Sequence, residues 1–173
     1  VAGFIGVFYA LISLLITVQQ SHVPAEIYAS PSSHIMLPCG LALFVIGTMG
    51  NLYHHVLLAN MRHEPSKKPK QEGVPPTQTT GMAMTTEASS APPVAKSYSV
   101  PSGGLFNAVT MPHYFFELLA WFGISACAQQ INAVLAAAGM TSYLSGRAVA
   151  TTAWYKEKFG DKWPKTRKHL LPF

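Results

Sequence analysis

The chain is poor in charge. Only 11% of its 173 residues are Asp, Glu, Lys or Arg, against about 25% in an ordinary soluble domain. Apolar types reach 49%. That balance excludes whole-chain disorder and leaves too little polar surface to cover a water-soluble globule. Cysteine is scarce as well. Cys39 and Cys127 both lie in apolar stretches, so a disulfide framework and a zinc site are excluded and two buried thiols are expected. No glycine loop with phosphate-binding spacing occurs: Gly103–Gly104 stands alone, with no strand before it. No Met precedes Val1, which points to a removed presequence or an internal start. Internal repeats, Ser-His-Asp or Cys-His spacings and a basic-aromatic surface for nucleic acid are all missing.

What is present is a set of apolar runs. Val1 to Val18 carries no charge and is long enough to span a bilayer. It lacks the basic start and the small-residue cleavage site of a signal peptide. Ile35 to Asn60 is a second uncharged run, spotted with Gly40, Gly47 and Gly50, and small residues let membrane helices approach closely. His113 to Ala128 is a third, with the single acid Glu117, and Ile131 to Gly146 is a fourth. Only Gln129 and Gln130 separate the last two, as in a tight helical hairpin. The expected fold is an all-α integral membrane bundle of about four transmembrane helices. Two helices fall in 1–62 and two in 97–173, the latter ending in a basic C-terminal tail.

The basic residues test that count. Residues 1–61 contain no Lys or Arg; Arg62, Lys67, Lys68, Lys70 and Lys96 lie between the second and third runs, and the other seven follow from Arg147. Four spans put all twelve on one side, as the positive-inside rule requires, and an odd number would break the pattern. The linker and C-terminus therefore belong on the cytosolic or matrix side, of the endoplasmic reticulum or the mitochondrial inner membrane. Residues 63–96 are rich in Pro, Thr, Ser and Lys. They cannot bury enough apolar area to offset their ordering entropy, so a mobile insertion is expected. From Lys96 onward, Tyr98, Val100, Pro101, Gly103, Gly104, Leu105 and Phe106 read as a turn feeding a helix.

Polar groups at membrane depth cost free energy and usually have a task. Asn51, His54 and His55 lie towards the linker end of the second run, with Arg62 beyond them. His113 and Glu117 open the third run, and Arg147 and Tyr155 close the fourth. All fall on the basic face. Such a cluster of donors and cations suits an anionic cofactor whose reactive ring dips inward. The bland alternatives are that Glu117 pairs with Arg147 or His113 to satisfy the bundle, and that Asn51 is interhelical glue. His54–His55 is too little for a metal site. His63 and His169 read as solvated, while His22 and His34 lie at the opposite face.

Three blocks then resemble a known family: GNLYHHVLLANMR (Gly50–Arg62), SYSVPSGGLFNAVTMPHYFFELLAWFG (Ser97–Gly123) and LSGRAVATTAWYKEKFGDKWPKTRKHLLPF (Leu144–Phe173). Together they resemble the C-terminal half of the steroid 5-alpha-reductase family. HVLLANMR, with His55, is most similar to the polyprenol-reductase branch. The resemblance implies reduction of a carbon–carbon double bond in a steroid, polyprenol or enoyl-lipid by NADPH. It also implies that Asn51, His55, Arg62, Tyr98, His113, Glu117, Arg147 and Tyr155 contact that cofactor, with membrane lipids around the bundle. His113 stands where the family has Asn, and Thr151-Thr152-Ala153 precedes Trp154-Tyr155 where the family has His. The helices that polarise the substrate carbonyl in the family do not match any part of this chain. Those departures motivate a second expectation, a non-catalytic accessory subunit of a larger membrane complex, for example a mitochondrial respiratory one.

Overall fold

The computed structural model describes residues 2–63 and 99–173, with side chains described for 6–61 and 99–173. The proposed insertion 63–96 lies almost wholly outside the described residues, as does Tyr98; of Arg62 only the backbone is described.

The described chain is all-helical: α1 (Ala2–Gln20), the short α2 (Ala25–Tyr28), α3 (Ser33–His63), α4 (Pro112–Ala128) and α5 (Ile131–Phe159). Each coincides with an expected apolar run, apart from α2. The fourth run continues as helix for thirteen residues past Gly146. Hydropathy stops at Arg147, but helix propensity does not, since Arg, Lys, Glu and Ala are good helix formers. The stop is Gly160, in the positive-φ region at 51°. Pro112 sits at the first turn of α4, where its missing N–H costs nothing. The expected Gln129–Gln130 hairpin is present. Gln129 turns the chain with a left-handed φ of 52°, and its side-chain oxygen accepts from the Ser33 hydroxyl at 2.7 Å.

Helix α4 is the central element. One face meets α3 along a seam of small residues. A side chain added at Gly47 would enter the backbone of Phe116 and Ala120, and one at Gly123 would enter Phe44 and Gly40. The two backbones are therefore in direct contact, the geometry that small residues permit between membrane helices. The other face of α4 supplies Leu118 and Trp121 to a core with Ala137, Met140, Leu144 and Ala148 of α5. Tyr9, Ile12 and Ile16 of α1 pack on that core at helical spacing. Helix α1 is also tied at its far end, where Gln130 donates to Gln20 at 2.6 Å and Asn132 donates to Gln19. Helices α1 and α4 thus run one way and α3 and α5 the other, with a neutral amide network at the hairpin end.

The outward surface is apolar. Leu11, Leu14 and Val18 of α1, Leu41, Val45, Ile46, Met49 and Val56 of α3, and Val134 and Leu135 of α5 are all exposed. A water-soluble monomer rarely shows so continuous an apolar surface. Among the described residues, Ser33–Met61 is long and apolar enough to cross a membrane, and Gly6–Gln20 is a shorter apolar helix. Neither thiol is buried as expected: Cys39 is exposed, and Cys127 is only half-buried. Position 39 falls beside the Gly40 seam rather than on it, so its side chain points off the bundle.

Candidate functional site

The end of the bundle away from the hairpin is built by three segments. The first is the C-terminal part of α3. The second is the loop 99–111, in which Gly103 and Gly104 adopt φ of 89° and 50° and a 3-10 turn follows at Gly104–Asn107. His54 fastens this loop to α3. The amide of Leu105 donates to its Nε2 at 3.2 Å. An amide can only donate, so Nε2 accepts and the ring proton sits on Nδ1, which faces the Gly50 carbonyl at 2.7 Å. His54 is buried, and Gly104 lies close enough to it that a side chain there would crowd the ring.

The third segment is the C-terminal tail, which topology alone would leave solvated. It is folded onto the loop instead. Thr110 N donates to the Lys168 carbonyl and Lys168 N to the Ala108 carbonyl, each at 2.9 Å, around the parallel bridge Val109–Lys168. Arg167 is 7% exposed. It donates through an η nitrogen to the Pro101 carbonyl at 2.9 Å and lies 4.8 Å from the Trp163 ring centroid. Trp163 in turn stacks on Tyr155 at 5.1 Å and 8°. Burial pulls the Arg167 guanidinium below its usual pKa, with Tyr155 acting in the opposite sense; it stays a cation at any physiological pH. Buried Nε of Arg167 and Nε1 of Trp163 have no hydrogen-bond acceptor among the described residues.

Asn51, His55 and His113 come together. Asn51 donates to the His113 carbonyl at 2.9 Å, so it does join two helices while its own side-chain oxygen remains an acceptor for something else. The ring of His55, itself exposed, is 4.8 Å from that of buried His113. His113 also touches Tyr114 and Phe106, at 4.5 and 6.1 Å. Glu117 lies one helical turn further into the bundle, half-buried, and accepts a hydrogen bond from Tyr9. Tyr155 belongs to the aromatic stack on the tail. Arg147 is exposed on α5, two turns before Tyr155. Thr152 is fully buried, and its hydroxyl donates to the Ala148 carbonyl at 2.7 Å within its own helix. His169 is exposed, as expected.

The donor set thus combines neutral hydrogen-bonding groups at depth with cations nearer the surface. Residues 84–173, just over half of the chain, match the family model described as 3-oxo-5-alpha-steroid 4-dehydrogenase. The chain belongs to the steroid 5-alpha-reductase family. It is 32% identical over 157 residues to 3-oxo-5-alpha-steroid 4-dehydrogenase 1 of Rattus norvegicus, covering 89% of this chain and 49% of the relative. It is 41% identical over 76 residues to a steroid 5-alpha-reductase of Gossypium hirsutum, covering 44% of this chain and 30% of the relative. The very-long-chain enoyl-CoA reductase of Dictyostelium discoideum is 30% identical over 134 residues, covering 78% of this chain and 35% of the relative. The chain spans about half the length of its rat and mouse relatives.

Sequence reading missed three residues of this family member: Tyr9, Trp163 and Arg167. Arg167 sits between Lys165 and Lys168 and looks like one more basic tail residue; the available signal was Trp163 four positions earlier, a flat ring on which a guanidinium can lie. For Tyr9 the signal was the spacing 9, 12, 16, which marks the inward face of α1.

Proposed function

We propose that the chain is the cofactor-binding part of a membrane-embedded reductase, which takes hydride from NADPH to saturate a carbon–carbon double bond in a lipid. The observation that carries this reading is the meeting of Asn51, His55 and His113 at the end that also holds the glycine loop and the folded tail. The donor set fits the cofactor. Asn51 and Glu117 offer acceptors for a carboxamide or ribose hydroxyls. Arg147, Arg62 and Arg167 offer cations for phosphates, with the planar fork that phosphate recognition favours. The buried N–H groups of Trp163 and Arg167 still need an acceptor, as an anion-binding end would. Hydride chemistry is supplied by the cofactor when bound. The chain's own task is to orient it, and the closely packed α3–α4 seam and the aromatic stack exclude water around it.

On this reading α1, α3, α4 and α5 all cross the bilayer, and the basic end faces the cytosol or the matrix. The lipid substrate, steroid, polyprenol or enoyl, approaches from the apolar side. The HVLLANMR block favours a prenyl-type chain. Calorimetry in detergent is expected to give NADPH binding in the micromolar range, lost in Glu117→Ala; no heat at high micromolar cofactor removes the proposal.

One observation favours a second reading, a helical accessory subunit of a larger membrane complex. Thr152 lies in the Thr151–Ala153 stretch where the family has His, and it spends its hydroxyl on Ala148, so it offers no donor to a ligand. A purified single-chain particle with reductase activity would dispose of this reading.

A further inference from the structure

Glu117 is the single ionisable acid of α4, and its recorded hydrogen bond comes from a different helix than those that build the rest of the site: Tyr9 of α1 donates to Oε1. The tyrosine ring is fixed independently, stacked on Trp121 with centroids 5.8 Å apart and planes at 26°. It belongs to the inward stripe with Ile12 and Ile16. The register of the two helices supports the pairing. Tyr9 precedes Gln20, and Glu117 precedes Ala128, by the same eleven residues, about 16 Å along each helix. At that lower level α1 is held to the hairpin through Gln20 to Gln130, and Gln20 also donates to Tyr28 of α2, which itself donates to the Ala128 carbonyl. Helix α1 is therefore anchored at both levels, and Tyr9 meets Glu117 without a slide of either helix.

We propose that Tyr9 is a positioning residue for Glu117, and through it for the carboxamide of the nicotinamide ring; this rests on the reductase reading above. A carboxylate has two oxygens and accepts several hydrogen bonds. The Tyr9 hydroxyl takes one of them, on Oε1. It fixes the side-chain torsion and leaves Oε2 to accept from an amide N–H. An uncharged –CO–NH2 group is the partner this arrangement suits, because it donates without bringing a second charge into an apolar bundle. Without the tyrosine hydroxyl, the carboxylate would have to find another donor or rotate, and a ligand would bear that ordering cost on binding.

The test uses the full-length protein in nanodiscs and four versions: wild type, Tyr9→Phe, Glu117→Gln and the double variant. Phenylalanine keeps the ring and its stack on Trp121 and removes only the donor. Calorimetry with NADPH is expected to show about ten-fold weaker binding for Tyr9→Phe. The double variant should bind no more weakly than Glu117→Gln alone, because the tyrosine acts through the acid. With the analogue carrying an acetyl group in place of the carboxamide, which has no N–H to donate, Tyr9→Phe should match wild type. A merely structural tyrosine would weaken both ligands alike, and the losses would multiply in the double variant; either result overturns the inference. Equal NADPH affinity of wild type and Tyr9→Phe also overturns it and leaves the reductase reading standing. A wild type that binds no NADPH overturns both.

Discussion

Gly47→Leu is expected to cost about 3 kcal/mol or more and to separate α3 from α4. The reason is where the new atoms would go. A Cβ at position 47 points into the backbone nitrogen of Ala120 and the backbone oxygen of Phe116, and backbone cannot rotate away as a side chain can. The two helices must part, and the parting propagates. Gly123 is caught between Phe44 and Gly40 on the same seam, and Gly40 abuts Ala126 and Cys127. Asn51 would lose its bond to the His113 carbonyl, so the site would fail along with the packing. The controls lie on α5. Gly139 and Gly146 have open space around an added Cβ. Alanine there should be neutral or stabilising by up to about 1 kcal/mol, since glycine is a poor helix residue. Thermal unfolding in detergent, followed by circular dichroism, checks all three. If Gly47→Leu melts with wild type, the close α3–α4 seam is wrong.

The glycines illustrate which parts of the fold the sequence makes legible. Hydropathy places α1, α3, α4 and the start of α5 to within a few residues, because a long uncharged apolar run bounded by polar residues reads readily as a buried or half-buried helix. The hairpin at Gln129–Gln130 is equally plain, as two polar residues interrupt a long apolar stretch. Gly40, Gly47 and Gly50 stand out as candidates for close approach before any partner is known. The C-terminal end of α5 is not legible in the same way. Charge begins at Arg147 while the helix runs to Phe159, so hydropathy and helicity part company there. Cys39 and Gly40 show a similar limit. Adjacent residues in one uniformly apolar helix receive opposite fates, one exposed and one in the seam, and a run without periodicity cannot tell them apart.

The site is legible only in part, and for a chemical reason. Asn51, His113 and Glu117 are conspicuous because polar groups are rare in apolar runs. Tyr9 is not, since a tyrosine in an apolar helix reads as an apolar body until its hydroxyl is seen to meet a carboxylate. The folded tail is the larger omission. Lys156, Lys158, Lys162, Lys165, Arg167 and Lys168 are equivalent in a charge count. What distinguishes Arg167 is the parallel pairing of Lys168 with Ala108 and Thr110, a contact between segments some sixty residues apart that no local pattern announces.

Arg167→Leu is accordingly expected to have the second largest effect, and one that a lysine tail residue cannot reproduce. The leucine leaves the buried Pro101 carbonyl without its donor and takes the cation off the Trp163 face. Losing the partner of a buried acceptor costs about 1–3 kcal/mol, and the cation–π contact adds about 1 kcal/mol. The backbone pairing of Lys168 and the buried Leu170 still hold the end of the tail, so the stretch from Gly160 to Arg167 should loosen and become sensitive to protease, with NADPH affinity, on the proposed reading, falling more than ten-fold. Arg167→Lys should recover less than half of the loss: an ammonium reaches one acceptor as a point charge but cannot lie flat on the indole while donating sideways to Pro101. Lys165→Ala is the control, being exposed two residues away, and should leave stability within about 0.5 kcal/mol of wild type. Limited proteolysis and melting of the three variants side by side decide the matter. If Arg167→Leu and Lys165→Ala behave alike, the tail is held by its backbone pairing and core contacts alone, and the stack of Arg167, Trp163 and Tyr155 has no part in forming the end proposed to bind the cofactor.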